Sequence, residues 1–156
     1  MALTMTTNHA GRLVSVNTKA SAGIWKEPQA EALLVAGHGV EGDYHAGRHH
    51  DRQVSLIDHS VLVEFQGMGI PVAPGVMGEN LTVAGLPLDS LAPGTRLRIS
   101  GEGSGVLIEV AKARTPCSNL LEVHPDLLRR AVGRSGLMAR VLEGGTVRPG
   151  DEVALV

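Results

Sequence analysis

The chain holds one cysteine, Cys117, in the segment ARTPCSNLLEV. A strand-like run, Val106 to Ala111, precedes it, and the residues after it predict a short helix. Thr115 has the side chain of an N-cap, and Pro116 is the type favoured at the first helical position. This places Cys117 in the first turn, among unpaired backbone N–H groups and at the positive end of the helix dipole. Lys112 and Arg114 add positive charge. These surroundings favour the thiolate, the form that serves as a nucleophile, a sulfur carrier or a metal ligand. The plainer alternative is a small residue filling a gap, because free cysteine is often buried.

A second group of chemically capable residues lies in GVEGDYHAGRHHDRQVSL, Gly39 to Leu56. Asp43, His45, Arg48, His49, His50, Asp51 and Arg52 crowd into ten positions, between glycines that permit close backbone approach. Arg48 and Arg52 offer planar forks for an anion or phosphate. His45, His49 and His50 with Asp43 are suitable ligand types for a metal, although their spacing matches no sharp metal signature. A solvated polar loop is the remaining reading. In GVMGENLTV, Glu79 and Asn80 stand at a turn entering a strand, where Asn80 can cap the turn.

Other arrangements carry less. Asp58, His59 and Ser60 have the residue types of a hydrolase triad, but consecutive residues at a helix start point in different directions. The glycines of GEGSG lack the helix and lysine of a phosphate loop. Arg129 and Arg130 read as the solvated face of a helix. Arg140 alternates with apolar neighbours in a strand and faces either a site or water.

The elements that must position these residues are short. Strands are expected at Arg12–Asn17, Ile24–Glu27, Glu31–Ala36, Gln53–Ile57, Asn80–Val83, Thr95–Ser100, Gly105–Ala111, Gly136–Leu142 and Glu152–Val156. Gly37 to Asp51 and the segment GGTVRPG read as connections. Asp58 caps a helix over His59–Gly67, with Leu62 and Phe65 on one face. A second helix spans Pro125–Val132, stopped by Gly133. Many short strands with few helices predict a mostly β, β-rich α+β fold, closed as a compact barrel or sandwich. Residues 1–10 read as a flexible tail and residues 11–156 as a single domain.

Composition narrows the function. The 156 residues carry a net charge of −2, which gives no reason to expect nucleic acid. Only Trp25, Tyr44 and Phe65 are aromatic, so base-stacking platforms are not expected and the core must be aliphatic. A lone cysteine fits a reducing, cytoplasmic setting without disulfides. MALTMTTNHA lacks the pattern of a signal peptide, and no apolar run reaches the length of a membrane span.

Taken in order, GVEGDYHAGRHHDRQVSL, PGVMGENLTVAGLPL and ARTPCSNL followed by GLMARVLEGGTVRPGDEV resemble the MOSC family, named for the C-terminal domain of molybdenum cofactor sulfurase. The match runs from about Gly11 to Val156 and is nearest to small stand-alone bacterial members. The resemblance implies a barrel-like fold with a pocket for a molybdopterin-type molybdenum cofactor. It maps the family's functional thiol onto Cys117, as a sulfur carrier in some members and a molybdenum ligand in others. Gly42, Asp43, His45 and Arg52 match the family's glycine–aspartate loop and the arginine before its strand, while Gly78, Glu79 and Asn80 match its second motif. Arg48, Arg52 and Arg114 are the expected cationic partners of the cofactor.

Three functions follow as expectations. The first is a cofactor-binding component of a reductase acting on N-hydroxylated compounds, with Cys117 as molybdenum ligand. The second is a sulfur carrier that passes a Cys117 persulfide to an acceptor. The third is a non-catalytic binding domain with a buried, inert thiol. No pyridoxal-phosphate domain, ferredoxin-like domain or iron–sulfur cysteines are evident. The first function therefore expects a separate electron-transfer partner, and the second a cysteine desulfurase.

Overall fold

The computed structural model describes residues 10–23, 25–102 and 104–156. Most of the expected N-terminal tail, and Ile24 of the second expected strand, lie outside the described residues; Ala10 already belongs to the first strand. The chain runs β1 (Ala10–Thr18), β2 (Glu27–Gln29), β3 (Ala32–Val35), β4 (Gly39–Val40), β5 (Val54–Asp58), α1 (His59–Gly67), β6 (Leu81–Ala84), β7 (Arg96–Gly101), β8 (Ser104–Ala113), α2 (Leu127–Arg130), β9 (Leu137–Glu143), β10 (Gly145–Val147) and β11 (Glu152–Leu155). Short 3-10 turns occupy Leu88–Ser90 and Ser118–Glu122.

Seven strands close into a ring in the order β1, β11, β7, β8, β9, β5, β6 and back to β1. Closure removes the open edges that a sheet of this size would otherwise expose. All ring pairs are antiparallel except β5 with β6, which are parallel. A parallel pair needs a crossover, and α1 supplies it. Strand β2 adds to β1 outside the ring, and β10, β3 and β4 form a small separate sheet.

Burial divides the aliphatic residues into two sets. Leu13, Val16, Leu56, Leu81, Ile99, Ile108, Val141 and Val153 belong to the larger core, which the ring strands share with β3, β4 and β10. Val61, Leu62 and Phe65 of α1 pack with Ile57, Ile70, Met77, Leu120 and Leu127 in the second. The helix forms where expected because its signals are local. Asp58 accepts a hydrogen bond from Ser60 N at 2.9 Å, and the buried face includes Leu62 and Phe65.

Several elements differ from expectation. The short strand near residue 24 sits at Glu27–Gln29, at the sheet edge where Pro28 is tolerated. Gly145–Val147, expected as a connection, pairs with β3 more than a hundred residues away. The second helix shrinks to four residues, since Asp126 makes no side-chain cap bond. Among the described residues, no helix is long and apolar enough to cross a membrane.

Candidate functional site

Cys117 does not sit in the first turn of an α-helix. Thr115 precedes a proline, which disfavours the helical region and keeps the chain extended. Cys117 itself takes the cap position (φ −97°, ψ 144°) of the five-residue 3-10 turn Ser118–Glu122, and its carbonyl accepts Leu120 N at 3.0 Å. Thr115 therefore caps nothing, and a helix dipole is not what surrounds the sulfur. The thiol is free and exposed, which corrects the expectation of a buried thiol.

Positive charge reaches the sulfur from other elements. A cavity of about 230 Å³ is lined by Cys117 and Thr115, by Arg114 at the end of β8, by His45 and Arg52 from the loop before β5, and by Gly78. Arg114 donates from its guanidinium to Met77 O, and its backbone N–H bonds to Gly136 O at 2.9 Å. Burial pushes the Arg114 pKa down to about 10, while Glu79 and the Cys117 sulfur, when charged, pull it up. The guanidinium thus remains charged at neutral pH.

The cavity continues into a larger one of about 510 Å³, sharing Arg52 and Thr115. His49, His50, Asp51 and Lys112 line this second space. Its one carboxylate is engaged: Asp51 Oδ1 accepts Arg140 Nε at 3.0 Å and Nη2 at 2.8 Å. Arg140 also donates to Glu109 at 3.1 Å, so it belongs to an ion-pair network rather than to open water. The joined cavities are therefore cationic.

His45 faces this charge. Arg52 Nη2 lies 3.4 Å from His45 Nε2. Burial, then the Arg52 and Lys26 charges, lowers the His45 pKa from 6.5 to about 4. The fold therefore holds the neutral imidazole, whereas the unfolded chain takes up a proton near pH 6.5. The stability tied to this group is complete above about pH 6.5 and is lost as the pH falls toward about 4. Between about pH 7 and about pH 4.5, the melting temperature should fall further in the wild-type protein than in His45→Gln. Equal falls would contradict it.

Asp43 and Glu79 do not line the cavity; they hold its walls. Asp43 is buried, and its Oδ1 accepts Lys26 Nζ at 2.7 Å and Lys19 N at 3.0 Å, while Oδ2 accepts His45 N at 3.2 Å. Lys26 N bonds to Gly75 O at 2.9 Å, and Gly75 N donates to Glu79 Oε2 at 3.0 Å. Glu79 Oε2 also accepts Thr82 Oγ1 at 2.7 Å, while its buried Oε1 has no hydrogen-bond partner among the described residues. Burial raises the Glu79 pKa. One chain of bonds thus runs from Glu79 through Gly75, Lys26 and Asp43 to His45.

Asn80 is a buried cross-link and more than a turn cap. Its Oδ1 accepts Ser55 N at 3.0 Å, and its Nδ2 donates to Asn17 O at 3.1 Å. Gly42 turns the chain at φ +81° and borders a different cavity, beside Trp25. Arg48 is drawn onto the Tyr44 ring, 3.9 Å from its centroid, and donates to Tyr44 O at 2.6 Å. It is not among the residues lining either cavity beside Cys117. The histidine–aspartate metal reading fails for a related reason. Asp43 is committed to Lys26, and among the described residues no three metal-ligating side chains converge. Lys26 had no signal in the sequence, because its partner lies 17 positions away.

A family model, the MOSC domain, matches residues 41–154. This chain belongs to the MOSC domain family. The matched span contains the whole Cys117 cavity except its Ala22–Gly23 side. The domain is 30% identical over 148 residues to the uncharacterized protein YflK of Bacillus subtilis (strain 168). That alignment covers 88% of this chain and 65% of YflK, so the chain spans just under two thirds of that relative. The crystal structure of YiiM from Geobacillus stearothermophilus is similar with a TM-score of 0.75 at 29% identity, covering 94% of this chain and 75% of that one. The YuaD protein from Bacillus subtilis shares the fold, with a TM-score of 0.81 at 22% identity over 94% of this chain and 95% of that one. The closed β barrel expected for a MOSC domain is thus present.

Proposed function

We propose that this MOSC domain binds a molybdopterin-type molybdenum cofactor in the joined cavities, with Cys117 as the protein ligand to the metal. One observation carries the reading: an exposed thiol opens into a cavity whose charged side chains are Arg52 and Arg114. The donor set fits the group. A thiolate suits molybdenum, and the guanidiniums of Arg52 and Arg114 with the Lys112 ammonium suit a phosphate. When bound, the cofactor would supply two-electron redox chemistry.

The chain's own residues have separable tasks in this reading. Cys117 holds the metal. Arg52 and Arg114 neutralise anionic charge. Neutral His45 accepts a hydrogen bond from Arg52 and leaves that cation free of a competing positive charge. The class of reaction we propose is reduction of N-hydroxylated compounds, with electrons delivered by a separate protein. Metal analysis of protein produced in a cofactor-competent host tests the assignment. Cys117→Ser should fold normally and retain at most about a tenth of the wild-type molybdenum. Equal metal in both proteins would overturn the ligand assignment.

The exposure of the same thiol favours a second reading, sulfur transfer. The Cys117 thiolate would attack the terminal sulfur of a desulfurase persulfide, forming a Cys117 persulfide and releasing the desulfurase thiolate. Intact mass after incubation with a cysteine desulfurase and cysteine should then show one added sulfur atom, absent in Cys117→Ala. An unchanged mass would eliminate this reading.

A further inference from the structure

The Cys117 cavity opens on its other side toward Trp25. Gly23 lines that cavity and also a space of about 280 Å³ bordered by Lys19, Trp25 and Glu122. Lys19 and Trp25 then border a third space of about 460 Å³, together with Glu27, Gln29 and Gly42. Trp25 stands where these two spaces meet, and it is 53% exposed. Of the other two aromatic rings, Phe65 is buried, and Tyr44 lines the Cys117 cavity itself with Arg48 over its ring, away from this groove. A single exposed aromatic residue is ordinary on a protein surface. One that walls two adjoining cavities, one of which shares Gly23 with the Cys117 cavity, is placed to receive a ligand.

The charges along this groove differ from those around Cys117. Among the described residues, no ion pair occupies the side chains of Lys19, Glu27 or Glu122. Two carboxylates thus face one ammonium, whereas the charged groups of the Cys117 cavity are the guanidiniums of Arg52 and Arg114. The two regions thus offer a ligand different charges. An anionic group is drawn to the arginines, and a neutral or cationic ring is left to the indole face, where an aromatic or a cation is attracted by the ring quadrupole.

We propose that the groove at Trp25 is a binding subsite for a planar aromatic ring of neutral or positive charge, stacked on the indole with its far edge directed past Gly23 toward Cys117. Resting on the function proposed above, this names the substrate's chemical class and its side of entry; binding itself requires no cofactor. Lys19, Glu27 and Gln29 supply donors and acceptors for the ring's polar edge.

The test uses metal-free protein and three probes of one size: the N-methylnicotinamide cation, neutral nicotinamide and anionic nicotinate. Saturation-transfer NMR and saturable quenching of Trp25 fluorescence report binding. The cation should bind at least as well as the neutral ring, and both better than nicotinate. Trp25→Ala should weaken the first two by roughly fivefold or more. Glu122→Gln should reduce the cation's advantage over nicotinamide, and it decides the matter if Trp25→Ala does not fold. Unchanged binding in a folded Trp25→Ala, tightest binding by nicotinate, or no saturable binding by any probe would each overturn the proposal. No metal enters this assay, so its failure leaves the Cys117 assignment standing, and failure of that assignment leaves this result standing.

Discussion

Lys26→Met should destabilise the protein by about 3–5 kcal/mol. The Lys26–Asp43 pair is 2.7 Å long, and each side chain is 1% exposed. Burial, and with it the Arg114 and Arg52 charges, lowers the Lys26 pKa, and the Asp43 hydrogen bond and charge oppose that shift. Removing the ammonium leaves a carboxylate with two backbone donors, Lys19 N and His45 N, and no cation. An isolated buried charge is far more costly than the pair it came from. Urea denaturation should therefore show a large loss in Lys26→Met and a partial recovery in Lys26→Met/Asp43→Asn, which removes the charge but keeps an acceptor. The effect should also reach the site. Asp43 ties Lys19 N to the N–H of His45, whose side chain lines the Cys117 cavity, so Cys117 alkylation should change rate under conditions where the variant remains folded. A loss below about 1 kcal/mol would mean that water reaches the pair and screens it.

Gly136→Ala should be comparably damaging, by more than about 3 kcal/mol. Gly136 has φ +79°, a region that costs a non-glycine residue roughly 1–3 kcal/mol. A Cβ there would also run into the Leu56 carbonyl, so β5 would have to shift. Gly133 separates the two effects. It has φ +73° but open space around it, so Gly133→Ala should show the conformational cost alone, about 1–2 kcal/mol. Near-equal losses in the two variants would show that the barrel wall yields easily. Gly136 also accepts Arg114 N and donates to Asp89 Oδ1 at 3.1 Å. The strain is therefore transmitted to a cation lining the Cys117 cavity, and under the proposed function molybdenum retention should fall with stability.

What could be read before the fold was known depended on how far each residue reaches. Helix α1 was legible because Asp58, Ser60 and Leu62 act within one turn. The barrel strands were legible from short apolar runs between turn residues. Asn80 was under-read as a turn cap because its partners, Ser55 and Asn17, lie 25 and 63 positions away. Asp43 and Glu79 were grouped with the cofactor contacts because a motif shows which residues belong together, and not which of them stand behind the wall. At Cys117, the Thr–Pro pair carried two conflicting signals, a capping residue and a residue held extended before proline. The extended state prevailed, and the positive field at the sulfur comes from Arg52 and Arg114 instead.

The pairing of β1 with β11 has a consequence for how the protein is made. The ring is sealed by Ala10, Gly11 and Arg12 lying against Ala154, Val153 and Glu152. Residues synthesised first must wait for those near position 150 before the circle can close. During translation, β1 can pair with β6 and β2 well before β11 has cleared the ribosome, which leaves the Ala10–Arg12 stretch of its other edge open to nascent neighbours. Release of β11 is then the step that ends this exposure. A nascent chain arrested before residue 152 should remain sensitive to proteolysis, and one extended past it by enough linker to clear the exit tunnel should become resistant.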